Sequence, residues 1–202
     1  MAKIFFIANR KGGVGKTTLA TNLVVALNNK GKSILIDCDE QQSASKWAKQ
    51  RDDVEYKCIH TDLIQELEKL DKEFDYILID VAGRDSAIFR EALLVSNTLL
   101  IPTQASLLDL QVLSYMDEEI SLARKTNPEL DAYVLINRAS PRSNELADAI
   151  DLINDYEQFK LLKTVLFERK QFRDAILESK SVTEMNASKA KDELNNLIIE
   201  LL

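Results

Sequence analysis

Ten residues near the start of the chain, Asn9-Arg10-Lys11-Gly12-Gly13-Val14-Gly15-Lys16-Thr17-Thr18, follow an apolar run from Ile4 to Ala8 and open a helical pattern. Glycines at 12, 13 and 15 let the backbone take conformations closed to residues with a Cβ, so that successive N–H groups turn toward one anion. Lys16 is then placed to reach the outer phosphates of a nucleotide. The Thr17 hydroxyl stands where it can ligate Mg²⁺, and the helix beginning there adds the positive end of its dipole. A chain with this stretch between a strand and a helix is constrained to an α/β fold with a phosphate cradle at the end of its first strand.

The ordinary pattern G-x-x-x-x-G-K-[ST] is not met, because Arg10 occupies the place of its first glycine. K-G-G-V-G-K-T-T, with a second lysine at Lys11, instead resembles the deviant Walker A motif of the ParA/MinD family of ATPases. The resemblance implies ATP and Mg²⁺ as ligands. It also implies a homodimer formed on ATP, with Lys11 reaching across to the partner's nucleotide. Lys11, Gly12, Gly13, Val14, Gly15, Lys16, Thr17 and Thr18 are the expected nucleotide-binding residues of this stretch.

Apolar runs of strand length alternate with amphipathic stretches at Lys3–Ala8, Ser33–Asp37, Val54–Ile59, Asp75–Asp80, Thr98–Pro102, Ala132–Asn137 and Leu161–Phe167. Most are apolar on consecutive positions, as parallel strands covered on both faces are. The fold expected is a doubly wound, mostly parallel sheet flanked by helices, with right-handed crossovers. Leu19, Leu23, Ala26 and Leu27 form the core stripe of the first helix, which should stop near Gly31. The 202 residues suit one such domain spanning the chain.

Ligands of such sheets bind beyond the carboxyl ends of the strands. Two strands end there in carboxylates, one in Asp37-Cys38-Asp39-Glu40-Gln41 and one in Asp80-Val81-Ala82-Gly83. Any one of these acids can equally cap a helix or form a turn. Beside a phosphate cradle they point to a metal–nucleotide site, since Mg²⁺ takes hard oxygen ligands and the waters that carboxylates hold. Thr17, Asp37 and Asp80 are the expected metal set. D-C-D-E-Q resembles the family's D-x-D-P-Q motif, which implies that Asp39 orients the attacking water; Lys11, Lys16 and Asp39 make up the expected catalytic set. Asp80 matches the Walker B aspartate, and Ala82-Gly83 the turn that senses the γ-phosphate. Ile101 to Leu110 is similar to the family's I-P-x-x-P-S-x-L-D-L element, with Ala105 at a position where proline is frequent.

Asn137 and Arg138 end the sixth apolar run. The family uses the first position to bind adenine through its amide, while a polar strand end is the plain alternative; Arg138 is expected to stack on the base. Further on, Arg169 and Arg173 stand four apart on an expected helix and so share a face, with Lys170 beside them. Exposed basic residues ordinarily only solvate a helix. The resemblance makes these three the DNA-binding candidates, since the family's nonspecific contacts come from its C-terminal part and dimerisation doubles a modest patch.

With 26 basic and 33 acidic residues the formal charge is −7, which excludes a surface electropositive all round, so any DNA site is local. Cys38, Cys58 and the single His60 form no zinc set and read as buried reduced thiols beside a lone histidine. No apolar run approaches the ~18 residues of a membrane span, and no charged-then-apolar leader precedes the first strand. The chain is expected in the cytoplasm, on the nucleoid. Leu194, Leu197, Ile198 and Leu201 give the last helix an apolar stripe, but Asp192, Glu193 and Glu200 on its polar side argue for docking on the core or a dimer rather than on a membrane.

Compact length and motif order look like the small plasmid-type (ParF-like) ParA partition ATPases. The resemblance implies a Mg²⁺-dependent ATPase that dimerises on ATP, binds DNA without sequence preference and is released when a centromere-binding ParB/ParG-type partner stimulates hydrolysis. A MinD-like membrane-surface ATPase and a metabolic P-loop enzyme are the alternatives.

Overall fold

A computed structural model describes residues 1–83, 86–140 and 145–202. Seven strands among them form one sheet: β1 (Lys3–Ile7), β2 (Ser33–Asp37), β3 (Glu55–Cys58), β4 (Tyr76–Asp80), β5 (Thr98–Thr103), β6 (Asp131–Ile136) and β7 (Lys160–Leu161). Their order is β3-β2-β4-β1-β5-β6-β7, and every pairing is parallel. The helices are α1 (Lys16–Asn28), α2 (Ser43–Ala48), α3 (Leu63–Leu70), α4 (Ala87–Val95), α5 (Leu107–Leu110), α6 (Leu113–Ala123), α7 (Glu145–Asn154), α8 (Lys170–Leu177) and α9 (Lys189–Leu201).

The unbroken apolar runs have the expected cause. Phe6, Ile36, Ile79, Ile101 and Val134 face one way, toward α3, α4, α6 and α7. Their strand neighbours Phe5, Leu35, Leu78, Leu100 and Leu135 face the other, toward α1, α2, α8 and α9. Period-two alternation thus feeds two cores at once. β1 lies between β4 and β5, so the crossover from β1 leads to one side of it and that from β4 to the other. This places a topological switch point at the end of β1, where the glycine loop begins.

The seventh strand is shorter than its sequence suggests. Only Lys160 and Leu161 pair with β6, and Phe167 adds one bridge to Ala139. Between these pairings Leu162 and Leu166 still donate to the Val134 and Ile136 carbonyls of β6, while other N–H groups go to α9: Glu200 accepts from those of Lys163 (2.6 Å) and Thr164 (2.9 Å), and Glu193 from that of Phe167 (3.2 Å). The acids of the last helix therefore cover a sheet edge, an exposed N–H row being otherwise a template for pairing. The apolar stripe Leu194, Leu197, Ile198 and Leu201 is buried in the core. No helix among the described residues is long and apolar enough to cross a membrane.

Arg51, just beyond α2, ties this layer together. Its side chain is 8% exposed, and its guanidinium donates to Glu184 (2.7 Å), Asp53 (2.7 Å) and the Ser179 carbonyl (2.7 Å). Burial opposes ionisation of Glu184, but hydrogen bonds from Arg51 and the Ser181 N–H outweigh it and hold the carboxyl below its ordinary range. The Arg51 hydrogen bond likewise lowers Asp53. Both folded pKa values being depressed, their stabilisation is complete above the unfolded values near 4 to 4.5 and is lost as pH falls through the folded ones. Arg51→Ala is expected to cost about 2 kcal/mol at pH 7, between an exposed and a fully buried pair. Urea titration should show that deficit shrinking below pH 4.

Candidate functional site

The glycine loop, the carboxyl ends of β2 and β4, the residues after β6 and the start of α8 enclose a cleft of about 1110 Å³. Gly13 and Gly15 take positive φ of 78° and 93°. Gly83, beyond β4, packs so closely on the loop that a Cβ there would lie 2.9 Å from the Arg10 carbonyl. The turn expected to sense phosphate thus touches the cradle through its backbone.

The two lysines of the loop are treated differently. Lys16 is 9% exposed and its Nζ donates to the Lys11 carbonyl at 3.1 Å. Burial lowers its pKa, and Asp80 and Asp39 oppose that by their charge. Lys11 stays at the rim with its side chain 42% exposed, its Nζ 3.9 Å from Asp109 Oδ1. Asp109 is buried and linked to Ser106 at the start of α5. This partner of Lys11 lies inside the I-P-x-x-P-S-x-L-D-L resemblance, but nothing local in the sequence joins positions 11 and 109.

Asp37 and Asp80 are register partners on neighbouring strands and are both buried. Burial first, and then the charges of Asp37 and Asp39, push the Asp80 carboxyl up to about 7, against a lowering by the Thr17 hydrogen bond and by Lys16. Its Oδ2 accepts from Thr17 Oγ1 at 2.8 Å, while Oδ1 is buried and accepts no hydrogen bond among the described residues. A buried carboxylate oxygen without a donor, beside a hydroxyl, suits a hard cation. Thr17 and Asp80 therefore fit Mg²⁺, directly or through water. Asp37 binds backbone: Oδ1 accepts from the Asp39 N–H (3.0 Å) and Oδ2 from the Ser45 N–H (2.7 Å). It ties the loop that carries Asp39, which lines the cleft.

Asn137 and Arg138 each bond a carbonyl of the loop. Asn137 Nδ2 donates to Val14 O at 2.7 Å and Arg138 Nη1 to Gly13 O at 2.8 Å. Of the basic trio, Arg169 is the N-cap of α8, in extended conformation, so it does not share a helical face with Arg173. Its guanidinium is bound by Glu193 at 2.5 Å. Lys170 and Arg173 remain 77% and 69% exposed, facing Asp174 and Glu168 at 3.5 and 3.6 Å. Arg169 and Arg173 line the cleft itself, so the distance from the glycine loop that their sequence separation suggests is not kept. Cys58 is exposed and Cys38 half-buried, against the reading of both as buried; burial raises the Cys38 thiol pKa far above its usual value, Asp37 and Asp80 adding to it.

Comparison with known proteins places this geometry. The model of the CobQ/CobB/MinD/ParA nucleotide binding domain matches residues 5–182, and the chain belongs to that family of ParA-like P-loop ATPases. It is 32% identical over 205 residues to the maintenance of carboxysome distribution protein A of Halothiobacillus neapolitanus, covering 97% of this chain and 94% of that one. The solved structure of apo McdA from Cyanothece matches all of both chains with a TM-score of 0.84 at 19% identity. A putative plasmid partition protein of Borrelia burgdorferi bound to AMPPNP matches at 0.79 and 21% identity, covering 100% of this chain and 98% of that one.

Proposed function

We propose that the chain is a Mg²⁺-dependent ATPase that positions a cargo on DNA. ATP closes a homodimer, the dimer holds duplex DNA without reading its sequence, and a partner carried by the cargo triggers hydrolysis and release. The observation that carries this reading is the division of labour between the lysines. Lys16 is buried inside its own cradle, whereas Lys11 of the same loop stands at the rim, its side chain 42% exposed and its Nζ 3.9 Å from Asp109. A second chain docked on that rim would receive Lys11 at its phosphates.

Within the site, Lys16 and the N–H groups of residues 12 to 17 hold the phosphates, and Thr17 with Asp80 holds the metal, which when bound shares the charge of the phosphate oxygens. Asp39 aligns water at the outer phosphate. Cargo is read from the partner. The sequence resemblance favours a replicon recognised through a centromere-binding ParB/ParG-type protein, while the carboxysome relative favours a protein compartment. Co-imaging of the tagged chain with each cargo class in the native cell separates the two.

DNA binding is assigned to Lys170 and Arg173, whose charge remains at the surface. With ATP and Mg²⁺, Lys170→Glu with Arg173→Glu is expected to weaken nonspecific duplex binding at least about tenfold at low salt. The slope of log affinity against log salt should fall by about one for each phosphate that the variant no longer neutralises. Arg173 lines the cleft, so ATP affinity is measured alongside. Wild-type protein whose ATPase and retention on DNA are the same at two salt concentrations would refute the DNA role.

A further inference from the structure

An open sheet has two edges, and along each edge strand every second residue has its N–H and C=O turned away from the sheet. At the β7 edge α9 supplies carboxylates to such groups. At the other edge β3 pairs with β2 alone, and all four of its residues, Glu55, Tyr56, Lys57 and Cys58, are exposed. The Ile59 N–H donates to the Asp37 carbonyl at 3.1 Å, in the register that pairs Asp37 with Cys58. Since strand residues alternate, Glu55 and Lys57 also turn their backbone groups inward to β2, and Tyr56 and Cys58 turn theirs outward. The side chains of Glu55 and Lys57, in register with Ile34 and Ile36, lie on the α3 face of the sheet, where Lys57 pairs with Glu66.

We propose that the β3 edge is a docking surface for the β3 edge of a second copy of this chain, the two strands pairing antiparallel about a twofold axis at Tyr56. This contact is separate from the ATP-closed homodimer at the glycine-loop rim. An axis at Tyr56 sets the outward N–H and C=O of one Tyr56 against those of the other, so that the pair exchanges two hydrogen bonds. It also sets each Glu55 opposite the Lys57 of the other copy. These are the pairs without backbone bonds, where Cα atoms approach to about 4.5 Å and side chains come closest. Shifting the axis to Lys57 would bring two lysines face to face, so charge selects one register. An edge of one sign would repel its own copy; this edge is its own charge complement, which singles out a second copy over an unrelated strand. Within one chain Glu55 and Lys57 face Lys32, at 3.5 Å, and Glu66; such exposed pairs are worth little and yield readily. None of the four β3 residues lines the cleft, so the association needs no nucleotide.

The test is sedimentation equilibrium of the nucleotide-free chain from micromolar to millimolar concentration. Wild type should show a reversible monomer–dimer equilibrium. Glu55→Lys and Lys57→Glu each set like charges opposite one another at both ends of the pairing, and each should weaken the dimer at least about tenfold. Mixed in equal amounts, these two variants regain both opposite-charge pairs, and the mixture should associate within a few-fold of wild type. Tyr56→Pro removes an outward N–H, spares the ladder to β2 and should abolish the dimer. Melting curves show that each variant folds. Should Tyr56→Pro fail to fold, the two exposed charge variants and their mixture still decide. Wild type that stays monomeric would leave the edge to a strand of a different protein and overturn the proposal. Association unchanged by the single charge variants, or lost in them and not regained on mixing, would overturn it as well.

Discussion

Lys16→Ala is expected to bind ATP at least about a hundredfold more weakly than wild type and to show no turnover. The loss follows from where the ammonium sits. It is buried beneath the loop, close enough to Gly83 that a Cβ there would be 3.2 Å from Nζ, and burial lowers its pKa while the charges of Asp80 and Asp39 oppose that. A phosphate in the cradle would gain charge-assisted hydrogen bonds from it at low local dielectric, each worth about 1.5–3 kcal/mol. Two such bonds account for the expected factor. Lys11 cannot substitute, since its Nζ lies beside Asp109 at the rim. The same burial reaches the empty fold: Lys16→Met keeps the volume but leaves the Asp80 and Asp39 charges unopposed and the Lys11 carbonyl without its donor, so it should melt below wild type without ligand. Calorimetry with ATP and Mg²⁺ and a melting curve of the unliganded protein check both halves. ATP affinity within a few-fold of wild type would remove the cradle as the nucleotide site.

How much of this site is legible in the sequence depends on how local its causes are. The glycine loop, and the carboxylates at the ends of β2 and β4, can be read because each is set by a strand and the residues directly after it. Where a side chain's partner lies far along the chain, the pattern gives no signal. Asn137 reads as a polar strand end, and nothing around it signals that its Nδ2 is bonded to Val14, 123 positions away. Arg169 reads as a helical surface cation, yet Glu193 holds it at the N-cap. The run from Leu161 to Phe167 reads as a strand because it is apolar and β-branched. Its regular pairing breaks at Thr164, whose N–H goes to Glu200 of α9, while Leu162 and Leu166 on either side still donate to β6. The acidity of that last helix is a usable clue: it argues against a membrane-seeking face, and the structure shows what Glu193 and Glu200 bond to instead.

Asp37 and Asp39 look alike in D-C-D-E-Q, and the structure separates them. Both oxygens of Asp37 accept backbone N–H groups, those of Asp39 and Ser45, so removing it would release the loop and the start of α2. Asp39 Oδ1 accepts one N–H, from Gln41 at 2.9 Å. Asp39→Ala should therefore keep the loop in place, and the indole of Trp47 on α2, 4% exposed, reports on that through its fluorescence. If Asp39 aligns water at the outer phosphate, its loss should slow hydrolysis by about 10²–10⁴, the usual contribution of a positioned acid–base group. ATP affinity should stay level or rise, because a negative charge near the phosphates has gone while Lys16, Thr17 and the glycine loop remain. An ATP dimer that cannot discharge then accumulates, since ligand binding that favours the dimer holds it there. Sedimentation with saturating ATP and Mg²⁺ should show a dimer that persists for the length of the run and stays on DNA. A monomer under those conditions, or phosphate release at the wild-type rate, would transfer the water-aligning role from Asp39 to Asp80, whose Oδ1 accepts no hydrogen bond among the described residues.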